Sequence, residues 1–290
     1  MIATAACKRF LALAGGTACS ATVHSVFDHA VNLELEGRVG LVGLIAETKA
    51  LTPYAVSVRM DRPFSETGIR AGMAAAVASE HVFIPQVGFE LDCSKAHAVE
   101  LSLDSIPIVP GTVPRGAQAE ILLAVLLEAD AGESLVPLAT GIGGNNFSNF
   151  LSPRFYTLQK AIQSEDEEAA AVAAERFAGC GMGLTPSSDD LLCGYLATQW
   201  MLAREQGRTE RTGLFASLAA AAAKKTTRIS ATFLLQCGEG LVNLYSYDLF
   251  SAIFTHEDEE ATRAVARRVL AIGSTSGADM LTGVALALQE

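Results

Sequence analysis

The sequence has few aromatic residues, 7% with a single Trp, and little charge, 18%. Basic residues are scarcer still: 21 Lys and Arg against 32 Asp and Glu leave a net charge of −11. So acidic a balance repels phosphate backbones and excludes a nucleic-acid binder of the ordinary electrostatic kind. No C-x-x-C pair occurs, and the five histidines (24, 29, 81, 97 and 256) are scattered, so a zinc framework is not expected. No apolar run reaches the ~18 residues of a membrane span. Phe10 to Ala21, behind Lys8 and Arg9, comes nearest to a targeting segment, but Gly15-Gly16 interrupt it and no small-x-small cleavage site stands out. A helix ending at Gly15-Gly16 is expected there instead.

What is present is apolar: half the residues are hydrophobic, which excludes a disordered chain. Alanine, roughly one residue in six, inflates that fraction. The cysteines at 7, 19, 93, 180, 193 and 237 read as reduced thiols packed as small apolar residues in a cytoplasmic protein.

The texture changes near the middle. Before Pro110, short β-branched and aromatic runs read as strands: Thr22 to Phe27, Val31 to Leu35, Val39 to Ile45, Tyr54 to Arg59, Val82 to Ile84, Val87 to Leu91 and Ile106 to Val109. Gly72 to Ser79 is ambiguous between helix and loop. After Pro114 the pattern is helical, over Gly116 to Ala129, Ser164 to Phe177, Thr185 to Arg204, Gly213 to Lys225, Thr227 to Gln236, His256 to Gly273 and Ala278 to Gln289. Ser164 with Glu167 reads as a capping box and Pro186 as a first helical residue. The expectation is an α+β chain: a β-rich, barrel- or sandwich-like antiparallel domain over 1–114, then a mainly α-helical domain over 115–290.

Chemistry concentrates in the helical part. In Gly179-Cys-Gly-Met-Gly-Leu-Thr-Pro-Ser-Ser-Asp-Asp-Leu-Leu-Cys-Gly194, alternate glycines lead into a helix start. Free N–H groups and the dipole there favour anions. Gly273-Ser-Thr-Ser-Gly-Ala-Asp-Met-Leu-Thr-Gly283 echoes it: Ser187 falls on Ser276, Ser188 on Gly277, Asp190 on Asp279 and Gly194 on Gly283. Two such helix ends facing one cleft would grip a small anion, and the later Gly of each would permit close helix packing. Read separately, the same Ser, Thr and Asp residues simply cap helices. Adjacent helical residues point about 100° apart, and the echo selects Asp190 over Asp189. Candidate binding residues are Gly181, Gly183, Thr185, Ser187, Ser188 and Asp189, with Ser274, Ser276 and Gly277 in the echo. Arg228, beside Thr227 and Ser230, is a fork for carboxylate or phosphate. Asn145 and Asn146, in Gly141-Ile-Gly-Gly-Asn-Asn-Phe147, sit on a loop that could close over a site. Cys180 and Cys193 have no histidine in the motif and read as packing residues.

At G-L-T-P-S-S-D-D-L-L-C-G, T-T-R-I-S and G-S-T-S-G-A-D-M-L-T-G the sequence resembles the AllH-like family, with support from His24-Ser-Val-Phe27 and Asn32-Leu33. The resemblance implies a subunit of oxamate carbamoyltransferase, which exchanges carbamoyl between oxalurate with phosphate and oxamate with carbamoyl phosphate in allantoin (purine) breakdown. It implies companion carbamoyltransferase subunits and small anionic substrates, with no nucleic-acid or membrane partner. On it, Gly181, Gly183, Thr185 and Ser187 supply donors and Arg228 balances charge. Asp190 and Asp279 bind the carbamoyl amine or position a base. The resemblance names no certain cofactor and leaves Mg²⁺ open. Two further readings stand beside it: a non-catalytic subunit that senses a small anion, and a nucleotide-dependent enzyme whose two acids hold Mg²⁺ between phosphates.

Overall fold

The computed structural model describes residues 1–13, 18–38, 40–47, 49–109, 115–129, 132–255 and 258–290. The chain is α+β, and its contacts separate into two compact units, Met1–Leu101 and Ser102–Glu290. Gly15-Gly16, Val39, Pro114 and His256, which bounded expected elements, lie outside the described residues.

The first unit is one nine-stranded sheet: β1 (Ala3–Cys7), then a short helix α1 (Lys8–Leu11), β2 (Cys19–Val26), β3 (Ala30–Leu35), β4 (Leu41–Ala46), β5 (Ala55–Val58), β6 (Ala74–Val77), β7 (His81–Ile84), β8 (Phe89–Asp92) and β9 (His97–Val99). Their order is β8-β7-β6-β2-β3-β4-β5-β1-β9. In β3, Val31, Leu33 and Leu35 are buried while Asn32 and Glu34 alternate with them, the period-two pattern of a half-buried strand. β4 is buried on both faces. A parallel bridge from Ile2 to Asp92, and the Met1 amine donating to the Glu90 carbonyl, join β8 to the chain ahead of β1 and curl the sheet as a half-barrel. The sandwich alternative therefore falls away. Pairing is mostly antiparallel, but β4–β5 and β1–β9 are parallel. Gly72 to Ser79 contributes β6. Ile106 to Val109 is not a strand: a 3-10 turn, Leu103–Ser105, precedes it, and the Ile106 carbonyl is taken by Arg204.

The second unit contains α2 (Arg115–Leu126), α3 (Val136–Thr140), α4 (Asn146–Gln163), α5 (Glu167–Phe177), α6 (Ser187–Glu205), α7 (Thr212–Ala223), α8 (Arg228–Gly238), α9 (Leu244–Thr255), α10 (Glu259–Leu270) and α11 (Ser276–Leu288). Three of these helices, α3, α4 and α9, were not expected. α4 is set by a capping box, Asn145 accepting from the Ser148 N–H and the Ser148 hydroxyl accepting from the Asn145 N–H, and it runs through Pro153. α9 starts where the Asn243 side chain accepts from the Ser246 N–H. Because α4 continues to Gln163, Ser164 closes that helix instead of opening the next. The chain turns at Glu165, φ +57°, and Asp166 caps α5. Pro186 stands one residue before the first turn of α6.

α6 and α11 are buried on nearly every face and form the centre of this unit. A Cβ on Gly194 would overlap the Met280 carbonyl oxygen, and one on Gly283 would overlap that of Leu191. The two helices thus cross backbone to backbone at matched positions of the echoed segments.

Candidate functional site

That crossing brings the two helix starts together. Each echoed serine lies near the acid of the other copy, where its hydroxyl favours the charged carboxyl: Ser276 for Asp190 and Ser187 for Asp279. Thr185 Oγ1 and Ser276 Oγ lie 3.0 Å apart. Asp279 is wholly buried, and its Oδ1 accepts from the Leu135 N–H at 2.6 Å. One oxygen of each carboxyl, Asp190 Oδ2 and Asp279 Oδ2, is buried with no partner.

Electrostatics follow from that burial. Desolvation pushes the Asp190 carboxyl well above the usual carboxylate range, and the charge on Asp279 adds to the rise; bonds from Ser276 and Thr185 oppose it. Burial pushes Asp279 up to about 6, against the Leu135 N–H and the hydroxyls of Ser187 and Thr275. Two acids of like charge, each with a buried unfilled acceptor, call for a donor or a proton.

The adjacent Asp189 has a different task. It is also wholly buried, yet it is fully bonded. Its Oδ1 accepts from the Gly179 N–H at 2.7 Å and from Ser188 Oγ at 3.3 Å; its Oδ2 accepts from Ser230 Oγ at 2.7 Å and from Thr226 Oγ1. Ser188 Oγ also accepts from the Cys180 N–H at 2.9 Å. Thr227 caps α8 and donates to the Leu184 carbonyl at 2.6 Å. Asp189, Ser188, Thr227 and Ser230 are therefore committed to holding the glycine loop against α6 and α8. Arg228 is half-buried, one residue past Thr227.

The loop itself is exposed from Gly181 to Leu184. Gly179, Gly181 and Gly183 all have positive φ, at +74°, +139° and +90°. A Cβ on Gly179 would overlap the Lys225 carbonyl oxygen, and one on Gly181 the Ser187 N–H, whereas Gly183 faces open space. Among the described residues, the N–H groups of Met182, Gly183, Leu184 and Thr185 have no acceptor. These are the free donors an anion would meet.

The echo is less open. The Gly277 N–H is taken by the Ile272 carbonyl, and a Cβ on Gly277 would overlap the Val269 carbonyl oxygen, so this glycine serves helix packing. Ser274 is exposed. Asn145 caps α4 and donates to the Ser134 and Gly132 carbonyls, bracing the turn whose Leu135 N–H reaches Asp279. Asn146 is exposed at the first position of α4. The Leu135 N–H had no signal in the sequence, since a backbone donor 144 positions from its acceptor leaves no local pattern. Thr226 was expected beside Arg228 at a ligand and instead bonds Asp189; Thr275 lay in the quoted echo but was not singled out. The neighbouring Cys237 thiol and burial raise the Cys193 thiol well above the ordinary range, and both are free cysteines that read as packing thiols.

Among the described residues, no group of three or more His, Cys, Asp or Glu side chains could hold a metal ion. Nor is any described helix long and apolar enough to cross a membrane. A family model described as oxamate carbamoyltransferase subunit AllH matches residues 177–288, and one described as the AllH family N-terminal domain matches residues 2–99. No curated protein and no solved structure matches the chain.

Proposed function

The chain belongs to the AllH family, and from that premise we propose that it is the subunit of a carbamoyltransferase complex that holds small anionic substrates at the start of α6. The observation that carries the reading is the pair of unpartnered buried oxygens, Asp190 Oδ2 and Asp279 Oδ2, beside four free N–H groups of the loop. An anion answers the N–H groups and only a donor answers the carboxyls. Carbamoyl phosphate and oxamate each carry both ends, a charged group and an amide –NH₂ with two N–H donors.

The proposed step is attack of the acceptor amide nitrogen on the carbamoyl carbon. The new C–N bond forms as the C–O bond to phosphate breaks, and the nitrogen gives up one proton. The loop N–H groups and the Thr185 hydroxyl stabilise charge on the phosphate and the developing oxyanion. Whichever of Asp190 and Asp279 is ionised takes the proton, and their raised affinity for it suits that role near neutral pH. Arg228 balances the anionic charge from the α8 start. Companion subunits, implied by the family description, complete the complex, which acts in the cytoplasm.

The test is a carbamoyl-phosphate assay and thermal shift on the complex co-expressed with its companions. Oxamate or phosphate should raise the melting temperature. Asp190→Asn and Asp279→Asn should each remove at least about a hundredfold of the rate while keeping the fold. Glu167→Gln, at an exposed helix start, should change little. If neither anion shifts melting and both Asn variants keep their rate, the reading is lost. A shift that requires Mg²⁺ with a nucleotide would favour phosphotransfer instead.

A further inference from the structure

A second cluster stands in the first unit, outside the α6 site. In β2, Val23 pairs with Leu33 of β3 and Ser25 pairs with Asn32, so His24 is an inserted residue in a β-bulge. Successive side chains of a regular strand point to opposite faces, which would part His24 from Ser25. With the bulge between them, His24 Nδ1 lies 3.1 Å from Ser25 Oγ. Directly across the ladder, Asn32 Nδ2 donates to the same Oγ at 3.0 Å. The three residues are half-buried, so a small molecule can reach them.

The donor inventory fixes one direction of this chain. The Asn32 amide nitrogen can only donate, so it fills one lone pair of Oγ. In the His24 tautomer with Nδ1 unprotonated, the Ser25 hydroxyl donates to Nδ1. A hydroxyl aimed at an imidazole nitrogen, with a third group orienting it, is the arrangement of an activated nucleophile. Bulges also concentrate where a side chain is re-aimed for chemistry.

We propose that Ser25, with His24 as its base and Asn32 as its orienting donor, is a nucleophile toward activated acyl compounds of the ester and acyl-phosphate class. The Oγ lone pair forms the bond to the carbonyl carbon as the hydroxyl proton passes to His24 Nδ1. The carbonyl π pair moves to oxygen and returns to expel the leaving group, which takes the proton from Nδ1. Water repeats the sequence on acyl-Ser25, releasing the acid and restoring the hydroxyl. This activity is separate from the α6 site and survives or fails independently of it.

The full chain would be treated with a fluorophosphonate probe, mapped by peptide mass spectrometry, and assayed with p-nitrophenyl acetate. The expected result is one adduct, on Ser25. Ser25→Ala should remove the adduct and the ester turnover, and His24→Gln should slow labelling about a hundredfold or more. Ser65→Ala, at an exposed serine bonded to Asp28, should leave labelling unchanged. No adduct on Ser25 in the folded wild-type chain, or equal labelling of Ser25 and Ser65, overturns the proposal. The wild-type map decides even where a variant fails to fold.

Discussion

Asp279 shows how a side chain can be held at a cost to the fold. Its carboxyl titrates at about 6 where the ordinary value is 3.8, so the folded state binds its proton more tightly than the unfolded state does. A group raised in this way gives its full stability below pH ~3.8, loses it as pH rises to about 6, and changes little above that. The difference corresponds to about 3 kcal/mol. Asp279→Asn should therefore unfold at higher denaturant than wild type at pH 7.5, by up to about 3 kcal/mol, and the gap should close near pH 4. Equal gaps at both pH values would show that the carboxyl is not the cause. The same variant should lose carbamoyl transfer, a residue more valuable to chemistry than to folding. The loop glycines divide differently. Gly183→Val should abolish anion-induced stabilisation, because a Cβ there meets open space that a ligand would fill, while its φ of +90° strains the loop without displacing a neighbour. Gly181→Val should lower the melting temperature of the free protein, because its Cβ would displace the Ser187 backbone. If the two behave alike in melting, loop strain alone accounts for both.

Among the elements, the echoed segments were legible because their residue types repeat at one spacing, and the two helix starts do meet, with Thr185 Oγ1 3.0 Å from Ser276 Oγ. The direction of each hydroxyl was not legible. Ser188, Thr227 and Ser230 were expected to face a ligand, yet the donors on Asp189 converge from the loop, α6 and the α8 start, an arrangement no single segment contains. β strands of the first unit were readable from β-branched runs, except β1 and β6, whose Ala-rich stretches carry a weak strand signal, and β9, only three residues long. α4 and α9 were hidden by aromatic and hydroxyl residues that favour helix only slightly. At the helix crossing, Gly194→Ala or Gly283→Ala should destabilise by about 1–3 kcal/mol, since an added methyl group meets backbone that cannot rotate away. Cys193→Ala, in the same helix, should retain turnover; its loss in a folded variant would indicate a covalent role for the thiol.

Over the whole molecule, the residues of the proposed anion site all come from the second unit, Ser102–Glu290. Hydrogen exchange should show phosphate-dependent protection over residues 178–190, with the Leu135 turn and the α11 start following. Protection spread through the first unit's strands would contradict that localisation. The α6–α11 crossing carries one more consequence. Peptide groups, and not side-chain rotamers, set how far apart the two helix starts stand, so on the proposed function the span between the two acids acts as a gauge with fixed jaws. Its width cannot adapt to a longer acceptor by side-chain rearrangement. Substrate range in relatives that keep both glycines should therefore follow what the loop admits, while relatives that enlarge either glycine should differ in the span of molecule they accept.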